Sequence, residues 1–168
     1  MKNDYDISKQ FQDDLIKAYN QVAPHCWSQS EAYEKAVKQP APRYYISPRQ
    51  AAQVISPMVH GDFEKVNMML PNKRRMYYSL FQKVIELSEK RCFIGKSLLY
   101  IMQYAVAQPA PEFFVTGYSV EQVRRYIKKG YLNDDGRVVN YQSRDKSYSK
   151  LKAKRQARKE RLKSLPRS

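Results

Sequence analysis

Apolar residues recur at every fourth position through two long stretches of the chain. One stretch begins near residue 5 and the other near residue 74, each with apolar residues at i, i+4 and i+8. Because an α-helix has about 3.6 residues per turn, this spacing places the apolar side chains on one face. The pattern predicts amphipathic helices over about 5–22 and 74–91, each with one face turned to a core.

These two helices open two copies of one longer sequence unit. The segment AVKQPAPRYYIS, which begins at Ala36, reappears as AVAQPAPEFFVT from Ala105, at a constant offset of 69 residues. Nine of the 26 positions from Ala36 to Gly61 are identical in the second copy. The offset predicts a first repeat within 1–61, a linker at 62–73 and a second repeat over 74–130.

Each copy carries start and stop signals for two further helices. Ser28 and Ser97 precede the second helix, Ser47 or, in the second copy, Thr116 or Ser119 precedes the third, and such hydroxyls cap the free amides of a helix N-terminus. The Gln-Pro-Ala-Pro segment ends the second helix, because proline has no amide donor. We therefore expect an all-α fold, a duplicated three-helix unit with about six helices and pseudo-two-fold symmetry, followed by a small hairpin at 131–141 and a basic tail.

Composition limits the class of protein. The 168 residues are 42% hydrophobic, enough for a core, and two cysteines cannot form a disulfide framework. No apolar run has the roughly 18 to 20 residues of a membrane span, and the first residues lack the apolar core of a signal peptide. We expect a cytoplasmic protein, or one inside a nucleoprotein or virion assembly, neither secreted nor in a membrane.

The positive charge is concentrated toward the C-terminus. The chain has 31 Lys and Arg against 16 Asp and Glu, a net charge of +15. Residues 1–61 contribute +1, residues 62–130 contribute +6 and residues 131–168 contribute +8. Within the last part, 142–168 holds 11 basic and 2 acidic residues with few apolar ones, so we expect an arm that is disordered when free. Such an arm suits a phosphate backbone.

Three groups of residues are candidates for binding nucleic acid. The third helix of the second repeat presents a cationic face. The residues at the same positions in the first repeat form an apolar face, which suits packing against the sister copy or a partner; they are Ile55, Ser56, Val59 and His60. A second cationic cluster opens the second repeat, and the third group lies in the arm. The predicted phosphate ligands are Arg124, Arg125, Lys128 and Lys129, then Lys73, Arg74 and Arg75, then Lys150, Lys152, Lys154, Arg155, Arg158, Lys159, Arg161 and Lys163. Tyr77, Tyr78 and Tyr148 are the candidates for stacking on bases.

The basic helix before the predicted hairpin carries a resemblance. The segment VEQVRRYIKKG from Val120, followed by the hairpin at 131–141, resembles the recognition helix and wing of excisionase and MerR-type winged helices over about 22 residues. The resemblance implies binding to duplex DNA. The preceding Pro-Ala-Pro segment does not match the first helix of that family.

Enzymatic and metal-binding patterns are weak. Gly95-Lys96-Ser97 lacks the earlier glycine of a phosphate-binding loop, and the two histidines and two cysteines have no paired metal-ligand spacing. We expect no catalytic residues, no metal and no cofactor.

The sequence thus predicts a non-enzymatic accessory protein that binds nucleic acid, with RNA or a nucleoprotein favoured over DNA. The alternative is a structural or scaffolding subunit of a phage, mobile-element or ribonucleoprotein assembly. Such a subunit would bind a protein partner, or a second copy of itself, through the apolar first repeat.

Overall fold

The architecture comes from a computed structural model that describes residues 4–130 and, in the C-terminal arm, Ala153, Gln156 and Ala157. Within this part of the chain the secondary structure is helical, with no strand. The expectation of an all-α fold is confirmed. The predicted hairpin at 131–141 and the remainder of the arm lie outside the described residues.

Seven α-helices are described, together with two 3-10 turns at Ala23–His25 and Arg91–Phe93. The α-helices are α1 (Asp4–Val22), α2 (Gln29–Val37), α3 (Pro48–Val59), α4 (Glu64–Asn67), α5 (Pro71–Ser88), α6 (Leu98–Ala105) and α7 (Gly117–Lys128). The predicted linker therefore contains the short helix α4 and the first turn of α5. Helix α5 begins three residues before the helix predicted over about 74–91, because Pro71, with its fixed φ, opens it.

Serine side chains start three of the helices as the sequence predicts. Ser28 Oγ accepts a hydrogen bond from the Glu31 amide at 3.1 Å, and Ser97 Oγ accepts one from the Tyr100 amide at 3.2 Å. Ser47 caps α3 in the same way. These bonds satisfy amides that have no partner within the helix. The equivalent positions Ser28 and Ser97 thus use the same local chemistry, whereas Thr116, the equivalent of Ser47, begins α7 without a side-chain cap hydrogen bond.

The two repeats interlock. Helix α7 of the second repeat packs against α1 and α2 of the first, and α3 of the first repeat packs against α5 and α6 of the second. Each repeat therefore gives its third helix to the other, which produces two three-helix bundles of mixed origin. Neither repeat completes a bundle from its own three helices.

The chain crosses over between the two bundles at the proline-rich segments. Ala41 and Ala110, which are 69 residues apart, exchange backbone hydrogen bonds of 3.0 and 2.9 Å. On either side, the Tyr44 amide donates to the Val106 carbonyl at 2.9 Å and the Phe113 amide donates to the Val37 carbonyl at 3.0 Å. These two bonds are equivalent under the sequence offset, so the pseudo-two-fold axis passes through the crossover.

Aromatic side chains pack over the same crossover. The rings of Tyr45 and Phe113 are stacked with centroids 5.8 Å apart, and those of Tyr44 and Phe114 are stacked at 6.2 Å. The repeated aromatic pair that follows Pro-Ala-Pro is thus a joint between the repeats. Stacked rings of this kind add stability beyond the area that they bury.

The interlock explains the apolar positions on the third helix of the first repeat. Ile55 is fully buried on α3, which packs against α5 and α6, whereas Val59 is 46% exposed and His60 is exposed. The apolar character at Ile55 is therefore used within the chain. No described helix combines the length and the hydropathy that crossing a bilayer requires.

Candidate nucleic-acid interface

Arg124, a predicted phosphate ligand, lies between tyrosines of the first repeat. Its guanidinium carbon is 4.3 Å from the centroid of the Tyr19 ring, and its Nη1 donates a hydrogen bond of 2.7 Å to the Tyr33 hydroxyl. A guanidinium over an aromatic face is attracted by the negative face of the ring. The structure thus gives Arg124 a role in holding α7 against α1 and α2.

The other cations of α7 differ in their surroundings. Arg125 is exposed and pairs with Glu121 at 2.8 Å, one turn earlier on the same helix. Lys128 and Lys129 are exposed at the C-terminal end of the helix, where a positive charge interacts favourably with the helix dipole. The predicted cationic face is therefore divided between packing, an ion pair within the helix and two lysines at its end.

Replacing Arg124 by alanine is expected to lower the free energy of unfolding by about 1 to 3 kcal/mol, because a hydrogen bond and a stacked cation are lost together. Urea unfolding measures this change. The matched control is Lys128→Ala on the same helix, for which we expect less than about 0.5 kcal/mol. Equal stability of the two variants would contradict the packing role of Arg124.

The three cations at the start of α5, Lys73, Arg74 and Arg75, also have different surroundings. Arg75 Nη1 is 2.7 Å from Oε1 of Glu112, a buried carboxylate whose other oxygen is 3.0 Å from Lys38 Nζ. Arg74 donates a long hydrogen bond, 3.4 Å, to the Asn67 carbonyl. Lys73 instead lines a cavity with residues of other elements. The three neighbours in sequence do not form one phosphate site.

Two of the tyrosines predicted to stack on bases, Tyr77 and Tyr78, do not present open faces. Tyr77 is 4% exposed and belongs to the core. Tyr78 is half-buried, stacks on Phe63 with centroids 6.0 Å apart and donates a 2.7 Å hydrogen bond to Asn67. A base could reach Tyr77 only by displacing core side chains. Tyr148 and the predicted cations of the arm lie outside the described residues.

Two tyrosines that the sequence interpretation missed are exposed on α6. Tyr100 and Tyr104 lie one turn apart with ring centroids separated by 5.3 Å, and both rings contact Phe93. Tyr100 is 36% exposed and Tyr104 is 46% exposed. Their hydroxyl oxygens are 3.3 Å apart, and this hydrogen bond raises the pKa of Tyr104. Tyr104 therefore carries no charge near neutral pH that would repel a phosphate.

Three cations lie on the chain segment that leads into α6. Lys96 Nζ is 5.4 Å from the centroid of the Tyr100 ring, and Lys90 and Arg91 are exposed at the start of the 3-10 turn that carries Phe93. None of the three forms an ion pair with a residue in the described part of the chain. We call Tyr100, Tyr104, Lys90, Arg91 and Lys96 the α6 tyrosine surface.

The first repeat shows that the fold does not require these residues. With the 69-residue offset, Tyr100 corresponds to Glu31 and Tyr104 to Lys35, and these two form an ion pair of 2.7 Å on α2. One copy thus has a water-compatible ion pair where the other has exposed aromatic rings. This divergence between copies was present in the sequence and would have identified the surface.

The chemistry of the surface is aromatic and cationic. Among the described residues, no group of three or more His, Cys, Asp or Glu side chains is placed to hold a metal ion. No family model, curated protein or solved structure matches this chain. A proposal for its function therefore rests on the residues themselves.

Proposed function

We propose that the protein is a non-enzymatic accessory protein that binds single-stranded nucleic acid. The observation that supports this function best is the α6 tyrosine surface, in which Lys96 lies over one of two exposed rings and Lys90 and Arg91 are exposed on the turn that carries Phe93, none of these cations forming an ion pair with a described residue. Bases stack on the tyrosines, the cations contact the flanking phosphates, and the C-terminal arm adds further phosphate contacts.

Stacking and charge have different roles in this proposal. A base that stacks on an aromatic side chain contributes about 1 to 3 kcal/mol with little dependence on sequence. Phosphate contacts add affinity that falls as salt rises. Because bases in a duplex are already stacked on one another, the exposed rings favour unpaired strands. RNA is the favoured ligand, since proteins recognise RNA mainly at single-stranded loops and ends.

The test of the function is a comparison of single-stranded and duplex ligands. Fluorescence anisotropy of the full chain with a labelled oligo(U) and with a blunt-ended RNA duplex of equal charge is expected to show about 10-fold tighter binding to oligo(U), the contribution of one stacked base. Equal or tighter binding to the duplex would contradict base stacking as the mode of recognition.

Removing the arm after Tyr141 is expected to weaken oligo(U) binding and to flatten its salt dependence. The segment 142–168 carries 11 of the 31 basic residues. The slope of log affinity against log salt should become shallower by about 0.7 for each phosphate that the shortened chain no longer neutralises. Titrations at several salt concentrations measure the slope.

The matched control for the truncation is a full-length chain in which the Lys and Arg residues of 142–168 are replaced by Gln. It should behave as the truncated chain does, since the expected effect depends on charge. An unchanged slope in both variants would remove the arm from the binding mechanism.

A further inference from the structure

A cavity of about 1000 Å³ lies between α3, the turn from α4 to α5 and the segment that leads into α7. It sits near the pseudo-two-fold axis, because Tyr45 with Phe114 and Ile46 with Val115 are pairs related by the 69-residue offset and all four line it. Both repeats therefore contribute to its walls. The α6 tyrosine surface contributes none of its five residues to this lining.

The floor of the cavity is apolar and continues onto the surface. Val54, Met69 and Met76 line it, and at its edge Leu70 is 78% exposed. Met68, which precedes the lining residue Met69, is 82% exposed. Methionine side chains are flexible and polarisable and adapt to varied partners. An apolar edge that extends beyond the cavity fits a partner larger than a small molecule.

The charges at the cavity have one sign. Of the described residues that line it, Lys65 and Lys73 are the charged ones, and neither forms an ion pair with a described residue. Gln50, Gln53 and Asn72 add uncharged hydrogen-bonding groups. A complementary ligand therefore has an apolar face for the floor and carboxylates for the two lysines.

We propose that this cavity binds an amphipathic helical segment of a partner protein, with apolar side chains on one face and Asp or Glu beside them. An apolar groove with a charged edge is the usual receptor for such a segment, which places side chains at i, i+3, i+4 and i+7 into it. Lys65 and Lys73 select acidic segments over basic ones. This proposal is independent of the nucleic-acid function, because it uses different residues.

The test is a nuclear magnetic resonance titration of the full chain with its methionine methyl groups labelled. The probe is a synthetic peptide of about 18 residues with Leu at i, i+3, i+4 and i+7, two Glu beside this apolar face and Ala at the remaining positions, because short helices are marginal and like charges one turn apart destabilise them. The control peptide has Lys in place of each Glu. We expect the acidic peptide to shift the methyl signals of Met68, Met69 and Met76. The core residues Met58 and Met102, which are 2% and 0% exposed, should not shift.

Charge-reversal variants locate the binding. Lys65→Glu combined with Lys73→Glu should weaken the acidic peptide by about 10-fold or more, since close charge pairs across an interface are coupled by more than about 1.5 kcal/mol. Lys90→Glu combined with Arg91→Glu, which makes the same charge change on the α6 tyrosine surface, should leave peptide affinity unchanged while weakening oligo(U). A failure of the peptide proposal can therefore be distinguished from a failure of the nucleic-acid proposal, because each depends on a different pair of variants.

Four results would overturn this assignment. They are an absence of shifts with the acidic peptide, equal binding of the basic peptide, the same methyl shifts on adding oligo(U), and the same shifts on raising the protein concentration alone. The last two would assign the cavity to nucleic acid or to a second copy of the chain.

Discussion

The double substitution of Tyr100→Ala with Tyr104→Ala is expected to lower the affinity of the full chain for oligo(U) by about 30-fold or more. Two stacked bases contribute about 2 to 6 kcal/mol, and the lower end of this range corresponds to about 30-fold in affinity. The effect should fall mainly on the dissociation rate, because the charges that steer association are unchanged. Anisotropy and stopped-flow measurements give both quantities.

Two control variants separate stacking from other causes. Tyr100→Phe with Tyr104→Phe keeps the rings and removes the hydroxyls, so oligo(U) affinity should stay within about 5-fold of the wild type, a neutral hydrogen bond being worth about 1 kcal/mol. Glu31→Ala with Lys35→Ala changes the equivalent positions on α2 and should leave affinity unchanged. An alanine double variant that binds as the wild type does would remove the tyrosines from the site.

The second large effect concerns stability. Ile55→Ala is expected to lower the free energy of unfolding by about 2 to 5 kcal/mol, because a fully buried side chain leaves a cavity between helices of both repeats. Since α3 closes the bundle of α5 and α6, and α7 closes that of α1 and α2, hydrogen exchange should accelerate in both bundles together.

The matched control is Val59→Ala on the same helix, where the side chain is 46% exposed and the loss should be less than about 1 kcal/mol. Acceleration confined to α1 and α2 would contradict the interlocked arrangement, as would two separate unfolding transitions in denaturant.

The sequence predicts the local structure of this fold and not its interlock. The 69-residue offset and the serine caps at Ser28, Ser47 and Ser97 give the positions of most helices. They do not say which helices pack together, because a third helix has the same apolar pattern whether it packs on its own repeat or on the sister repeat. In the structure Ala41 pairs with Ala110 through backbone hydrogen bonds, which joins the two repeats at the crossover. Because these bonds use backbone atoms, the pattern of side chains in the sequence does not reveal them.

The candidate site was less accessible to sequence reasoning, for two physical reasons. Helical spacing shows that Arg124 shares a face with other cations, yet the tyrosines opposite it belong to another repeat, so its packing role depends on tertiary contacts. Seven of the eight residues of α6 are aliphatic, tyrosine or methionine, Gln103 being the exception, and this composition resembles that of a buried helix. In a three-helix bundle α6 buries only the side that packs on α3 and α5, so Tyr100 and Tyr104, which are not on that side, are exposed.

Photocrosslinking tests the central proposal most directly. The full chain is irradiated with an oligo(U) that contains 5-iodouridine, and the modified residues are identified by mass spectrometry. Stacking on the α6 tyrosine surface predicts crosslinks at Tyr100 and Tyr104, with loss of these crosslinks when duplex replaces the single strand. Crosslinks confined to the arm or to the first repeat, with none on α6, would contradict it.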